Sequence, residues 1–208
     1  MNRATKKYNF YLINGWFKMN NFAINIEDIK KDLRIMLKEH RYNHSILVAD
    51  EAKKLATIYH IDEDKCYLTG LIHDMAKNLS DEENNRLMKK YNLSEEWYEE
   101  ENKPILHAEI GYFLAKEKYS CDEDICRAIR YHTIGNIEMT TMEKIIFIAD
   151  KVARENLNDD LLYIKKLAYQ NLDEALLALL VGLENKLKQS NAELAPVTKQ
   201  LMLRLQNK

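Results

Sequence analysis

Histidines and aspartates fall where the hydrophobic pattern of this chain calls for apolar side chains. His44 lies four residues before Val48, on the stripe of Val48, Ala52, Leu55 and Tyr59. His107 shares a face with Ile110, Gly111 and Leu114, and His132 shares one with Ile125, Ala128 and Ile129. His73 and Asp74 are adjacent in the apolar segment LTGLIHDMAKN, and Asp150 follows Ile146 and Phe147 at the edge of another stripe. An unpaired buried carboxylate is costly, so Asp74 and Asp150 need positive partners. A divalent metal held by imidazoles and carboxylates satisfies several such groups together.

Each residue taken alone has a plainer explanation. A single His such as His132 is more often a hydrogen-bonded core residue, and Asp150 can pair with Lys151 or Arg154. Six such residues on five separate helices make a shared site the stronger reading. Lys77, one turn after His73, can bring its ammonium to the same mouth. Arg41 and Thr133 are weaker candidates for phosphate contact, since a solvated cation and a helix-end hydroxyl would look the same. His40 and His60 fall at helix ends, where the dipole favours cationic side chains, and are read as structural. The His40–His44 spacing lacks the Glu of a zinc-protease helix.

The elements that position these groups are helical. Ile26, Ile29, Leu33, Met36 and Leu37 form one stripe, and a third helix is expected from Asp62 or Asp64 through Leu68, Leu71, Ile72, Met75 and Ala76. Gly70, one turn before His73, would let another helix approach closely. Ser80 with Glu83 predicts a capping box, and Pro104 suits a first helical turn. Gly135-Asn136 breaks the pattern before the helix carrying Asp150, and three further helices follow, the last from Pro196. Five Gly and two Pro are far below average usage of about 7% and 5%, too few for a sheet with many tight turns. The expectation is an all-α, single helical bundle over residues 21–208, with residues 1–20 a poorly ordered N-terminal extension.

Composition narrows the partners. Hydrophobic residues make up 46% of the 208 positions, enough for a sizeable core. Lys+Arg 31 against Asp+Glu 33 gives a net charge of −2, so no basic excess points to a nucleic-acid polymer or a membrane surface. No apolar run is long enough to span a bilayer. Cys66, Cys121 and Cys126 show no C-x-x-C spacing, which fits a reducing compartment, and the expected location is the cytoplasm. A homodimer is left open.

Four segments together carry a resemblance: RYNH at 41–44, GLIHDMAK at 70–77, RYHTIG at 130–135 and IIFIADK at 145–151. They resemble the H…HD…D signature of the HD-domain metal-dependent phosphohydrolases, and within that superfamily the YqeK-like symmetrical hydrolases of diadenosine tetraphosphate. The likeness covers roughly Ile26 to Thr198, including the late P-V-T of 196–198. It implies an HD-type helical bundle in which His44, His73, Asp74 and Asp150 bind one metal. It further implies that His107 and His132 face a second metal or the substrate phosphates, and it suggests iron; residue types alone also admit manganese or zinc. One departure is visible. Such proteins often continue the last segment with Glu-Pro-x-Arg, where this chain reads VAREN at 152–156.

The implied reaction is hydrolysis of a dinucleoside tetraphosphate, diadenosine tetraphosphate giving two ADP, by metal-activated water. Asp74, His107, His132 and Lys77 are then the candidate catalytic groups, and Lys77, Arg41 and Thr133 the candidate contacts to a small nucleotide. Three alternatives compete. The first is another HD-type phosphohydrolase, acting on nucleotides, guanosine tetraphosphate or cyclic nucleotides. The second is a di-iron oxygenase, which would depend on molecular oxygen. The third is a non-enzymatic helical binding protein, which predicts no metal and no turnover.

Overall fold

Short polar side chains open most of the helices, each accepting a backbone N–H that the first turn leaves unpaired. Asn25 does this for α1 (Ile26–Met36), while α2 (Glu39–Ile58) follows without a side-chain cap. Asp62 caps α3 (Glu63–Ile72), and Ser80 caps α4 (Asp81–Lys90) in the capping box expected with Glu83. Pro104 sits in the first turn of α5 (Lys103–Tyr119), which a left-handed Ser120 ends. Asp122 caps α6 (Glu123–Tyr131), and Thr140 with Glu143 makes a second capping box at α7 (Thr141–Val152). Asn158 and Asn171 cap α8 (Asp159–Ala168) and α9 (Leu172–Gln189), and Pro196 starts α10 (Pro196–Gln206).

The computed structural model describes residues 12–13, 16–19, 22–99 and 102–207. The expected all-α bundle is what the chain forms. Three short strands precede it: β1 (Leu12–Ile13), β2 (Trp16–Met19) and β3 (Phe22–Asn25), an antiparallel meander in which Phe17 pairs with Ile24. The poorly ordered extension expected over 1–20 lies mostly outside the described residues. Among the described residues no helix is long and apolar enough to cross a membrane.

Helix α7 forms the middle of the bundle. Its Ile145, Ile146, Phe147, Ile148, Ala149 and Val152 are all fully buried, and a helix apolar all round must be surrounded. It packs against α2, α3, α6, α8 and α9, which carries Asp150 into the interior. Helix α10 closes the far side. Thr198 Oγ1 donates to Ile134 O at 2.7 Å, giving the late P-V-T a structural role in the turn after His132. That turn needs Gly135, whose φ is +75° and whose absent Cβ would lie 2.7 Å from Leu201 Cδ2.

Two expectations need correction. The apolar pattern carries α3 on through Met75 and Ala76, but the helix stops at Ile72. Tight i→i+3 turns follow, with Met75 N donating to Ile72 O at 3.0 Å and Lys77 N to Asp74 O at 2.8 Å. Such turns keep a period near three, so the stripe continues although the helix does not. The dipole argument also fails for His40. It lies in the first turn of α2, the positive end, and is simply exposed; His60, just past the other end, fits the argument.

Candidate metal centre

The end of α3 is what aims the His-Asp pair. The last carbonyls of a helix have no intrahelical partner, and His73, at the C-cap, fills one of these vacancies. Its Nδ1 lies 2.7 Å from Gly70 O. An imidazole that donates its Nδ1–H to a carbonyl presents a bare lone pair at Nε2. Gly70 is what lets α2 supply the opposite wall, because a Cβ there would lie 2.8 Å from Ala49 Cα. That close approach puts His44 of α2 across from His73, with ring centroids 5.5 Å apart.

His132 repeats the device at the end of α6. Its Nδ1 lies 2.6 Å from Ile129 O, again three residues back, and its Nε2 points to the same centre. Asp150 comes from the last turn of α7, and His107 from the second turn of α5. His73, Asp74, His107, His132 and Asp150 are all buried, and His44 is half-buried.

Two groups of potential ligands share Asp74. His44, His73, Asp74 and Asp150 each bring one donor atom within 4.8 Å of the others, and so do Asp74, His107 and His132. In the first group, His44 Nε2 lies 2.9 Å from Asp150 Oδ1. His73 Nε2 lies 3.5 Å from Asp74 Oδ2 and 3.4 Å from Asp150 Oδ1, yet it has no hydrogen-bond partner. A buried lone pair facing two carboxylates is unfavourable unless positive charge sits between them. Burial alone would lower the His73 pKa, but Asp74 and Asp150 raise it, which is the same demand for charge. A divalent cation fits this donor set of imidazoles and carboxylates.

The second group is better satisfied by itself. His107 Nε2 is 3.1 Å from Asp74 Oδ1 and 3.3 Å from His132 Nε2, and Lys77 Nζ is 3.2 Å from His107 Nδ1. A neutral His107 with its proton on Nε2 donates to Asp74 and accepts from Lys77, so both of its ring nitrogens are satisfied, while His132 keeps a lone pair at Nε2. Burial pushes the His107 pKa down to about 4, against the pull of Asp74, so the ring is neutral near pH 7. Burial would raise the Asp74 carboxyl, but His73, His107 and His132 hold it well below the carboxylate range. Asp150 is also held low against burial, by Lys151, His44 and His73.

The structure thus brings all six histidine and aspartate candidates together. Lys77 reaches the mouth through His107, as its position after His73 suggests. Arg41, a candidate phosphate contact, donates from Nη1 to Asp74 Oδ2 at 2.8 Å, and its buried Nε has no partner. Thr133 Oγ1 is likewise buried without a partner. Sequence reasoning offered Lys151 only as an ordinary partner for Asp150; its Nζ does contact Asp150 Oδ2, at the rim of the centre.

The profile of the HD domain family matches residues 41–155, more than half of the chain and all six of these residues. The chain belongs to the HD domain family. A symmetrical bis(5'-nucleosyl)-tetraphosphatase of Staphylococcus aureus is 38% identical over 130 residues, 62% of this chain and 66% of that protein, just under two thirds of its length. The protein of the same name from Halalkalibacterium halodurans is 34% identical over 166 residues, covering 78% of this chain and 87% of that one. The crystal structure of a predicted HD superfamily hydrolase involved in NAD metabolism, from Clostridium acetobutylicum, superposes with a TM-score of 0.81 at 32% identity. It covers 88% of this chain and 98% of that one. The HD-domain and YqeK-like resemblance read from the four segments therefore holds, and it extends well beyond them.

Proposed function

We infer that this HD domain hydrolyses dinucleoside tetraphosphates symmetrically, diadenosine tetraphosphate giving two ADP, with iron as its metal. The observation that carries the hydrolase reading is the buried, unpartnered His73 Nε2 between Asp74 and Asp150, beside a second imidazole pair on the same Asp74. The choice of the central anhydride follows the names of the two tetraphosphatase relatives.

His44, His73, Asp74 and Asp150 would hold the first ion, and Asp74, His107 and His132 a second, more weakly bound one. When bound, a divalent ion supplies Lewis acidity to a phosphoryl oxygen and a source of hydroxide at neutral pH. The chain's own groups do the rest. Arg41 fixes the Asp74 carboxylate by donating to Oδ2, so that Oδ1 stays turned to His107. Lys77, at the His107 ring, offers N–H donors to a non-bridging phosphate oxygen and offsets charge that develops on it. Thr133 Oγ1 has a free hydroxyl beside His132 for another phosphate oxygen. A departing nucleoside diphosphate leaves readily once such donors neutralise its oxygens.

Turnover of diadenosine tetraphosphate in 18O-labelled water tests this reading. ADP should be the sole nucleotide product, with label in half of its molecules. ATP plus AMP would overturn symmetrical cleavage, and no cleavage by iron- or manganese-loaded protein would overturn the substrate assignment.

A further inference from the structure

Lys151 has two surroundings. Its ammonium contacts Asp150 of the metal centre, and its stem lines a groove of about 470 Å³ between the end of α7, α8 and α9. Volumes of about 300–1,000 Å³ are typical of small-molecule clefts. The groove has a floor of Ile164 and Leu179, both buried, cations at Lys151, Arg154 and Lys186, and a single carboxylate at Asp160. An apolar floor bordered by cations, one of which, Lys151, also touches the centre, suits a base and ribose whose phosphates run toward that centre.

Gly182 adds an independent sign. It lies within α9 on the wall of this groove, and Gly is the poorest helix former after Pro. A helical Gly usually answers to close packing, as Gly70 does. At Gly182, however, an added Cβ would meet nothing within 4 Å. The missing side chain therefore leaves the groove open rather than letting a neighbouring helix in.

We propose that this groove is a nucleoside subsite: it seats one base and ribose of the substrate, with Arg154 and Lys186 flanking the attached phosphates. The assignment rests on the nucleotide-hydrolase reading for its ligand class.

The test is calorimetric binding of ADP and of inorganic pyrophosphate to the metal-loaded full chain and to Gly182→Phe. Phe should fill the groove and weaken ADP binding by at least about tenfold, or 1.4 kcal/mol, while pyrophosphate binding and metal content stay unchanged. Gly182→Ala, which keeps most of the space, should bind ADP as the parent does. Arg154→Glu gives a second readout, weakening ADP binding without touching the floor. Equal ADP affinity in the parent, Gly182→Phe and Arg154→Glu would overturn the subsite, as would parent protein that binds ADP no more tightly than pyrophosphate. A parent that loses ADP binding on Gly182→Phe yet never cleaves diadenosine tetraphosphate supports the subsite and overturns the function reading alone.

Discussion

His73 and His132 are held by the same contact: each stands at a helix C-cap and turns its Nδ1 to the carbonyl three residues back. Their rings lie 5.0 Å apart, nearly perpendicular, with both Nε2 atoms directed at Asp74. The contact fixes tautomer and direction together, because the nitrogen that does not bond the carbonyl is the one left to bind. Backbone geometry at two helix ends thus orients these two imidazoles without any further side chain.

His73→Ala and Asp74→Ala should each lose bound metal by more than about a hundredfold in affinity, while the far-UV helical signal persists. Elemental analysis of protein purified without added metal reads the outcome. Full occupancy in Asp74→Ala would return these residues to an ordinary buried ion network.

The second group should behave differently. With His107 already bonded to Asp74 and Lys77, the Asp74–His107–His132 trio should take up metal only at higher free concentration. His107→Ala and His132→Ala should abolish that weaker equivalent or slow turnover, and leave the tight one in place. Metal titration with both variants checks this; unchanged stoichiometry and unchanged kinetics would refute it.

Arg41→Met should weaken metal binding by about 10–100-fold, since it removes the donor that orients Asp74. A contact to phosphate alone would instead raise KM at constant metal affinity, so the two measurements separate the roles.

Gly70→Ala should cost about 1–3 kcal/mol, because the new methyl meets Ala49 backbone rather than a movable side chain. A lowered urea midpoint together with weaker metal binding is expected, since the same contact sets the distance from His44 to His73. A midpoint equal to the parent's would show that α2 yields without cost.

The three cysteines should resist alkylation in the folded protein and react on unfolding. All three are buried and free, and burial pushes the Cys66 and Cys126 thiols up from 9.0 to about 12. A raised thiol pKa leaves stability intact below pH 9. Above it the unfolded chain ionises first, so stability should fall as the pH rises from 9 toward 12. Thiol labelling and denaturant midpoints across that range test both statements; rapid labelling of native protein would contradict the first.

Much of the fold was legible because amphipathic stripes and caps are local. Ser80 with Glu83, Pro104 and the apolar run of α7 each declared an element within a few residues. The short strands escaped because two to four residues cannot show a period. The end of α3 escaped because Met75 and Ala76 stay buried after it, Ala76 in one apolar cluster with Leu87, Leu106 and Ile110. At the centre, residue type and helical face revealed His44, His73, Asp74, His107, His132 and Asp150. Lys151 beside Asp150 was legible as a neighbour in sequence, but the pairing of Arg41 with Asp74 was not, since it joins residues 33 positions apart that meet only after the helices pack.

The contact between His44 and Asp150 joins residues 106 positions apart. A chain emerging at about 5–20 residues per second cannot close this loop until α7 has left the ribosome. Helices α1 to α6, which precede α7, are then made before a complete metal cage exists. Metal capture therefore belongs to the end of folding, and free metal during synthesis meets His44, His73 and Asp74 without their fourth ligand.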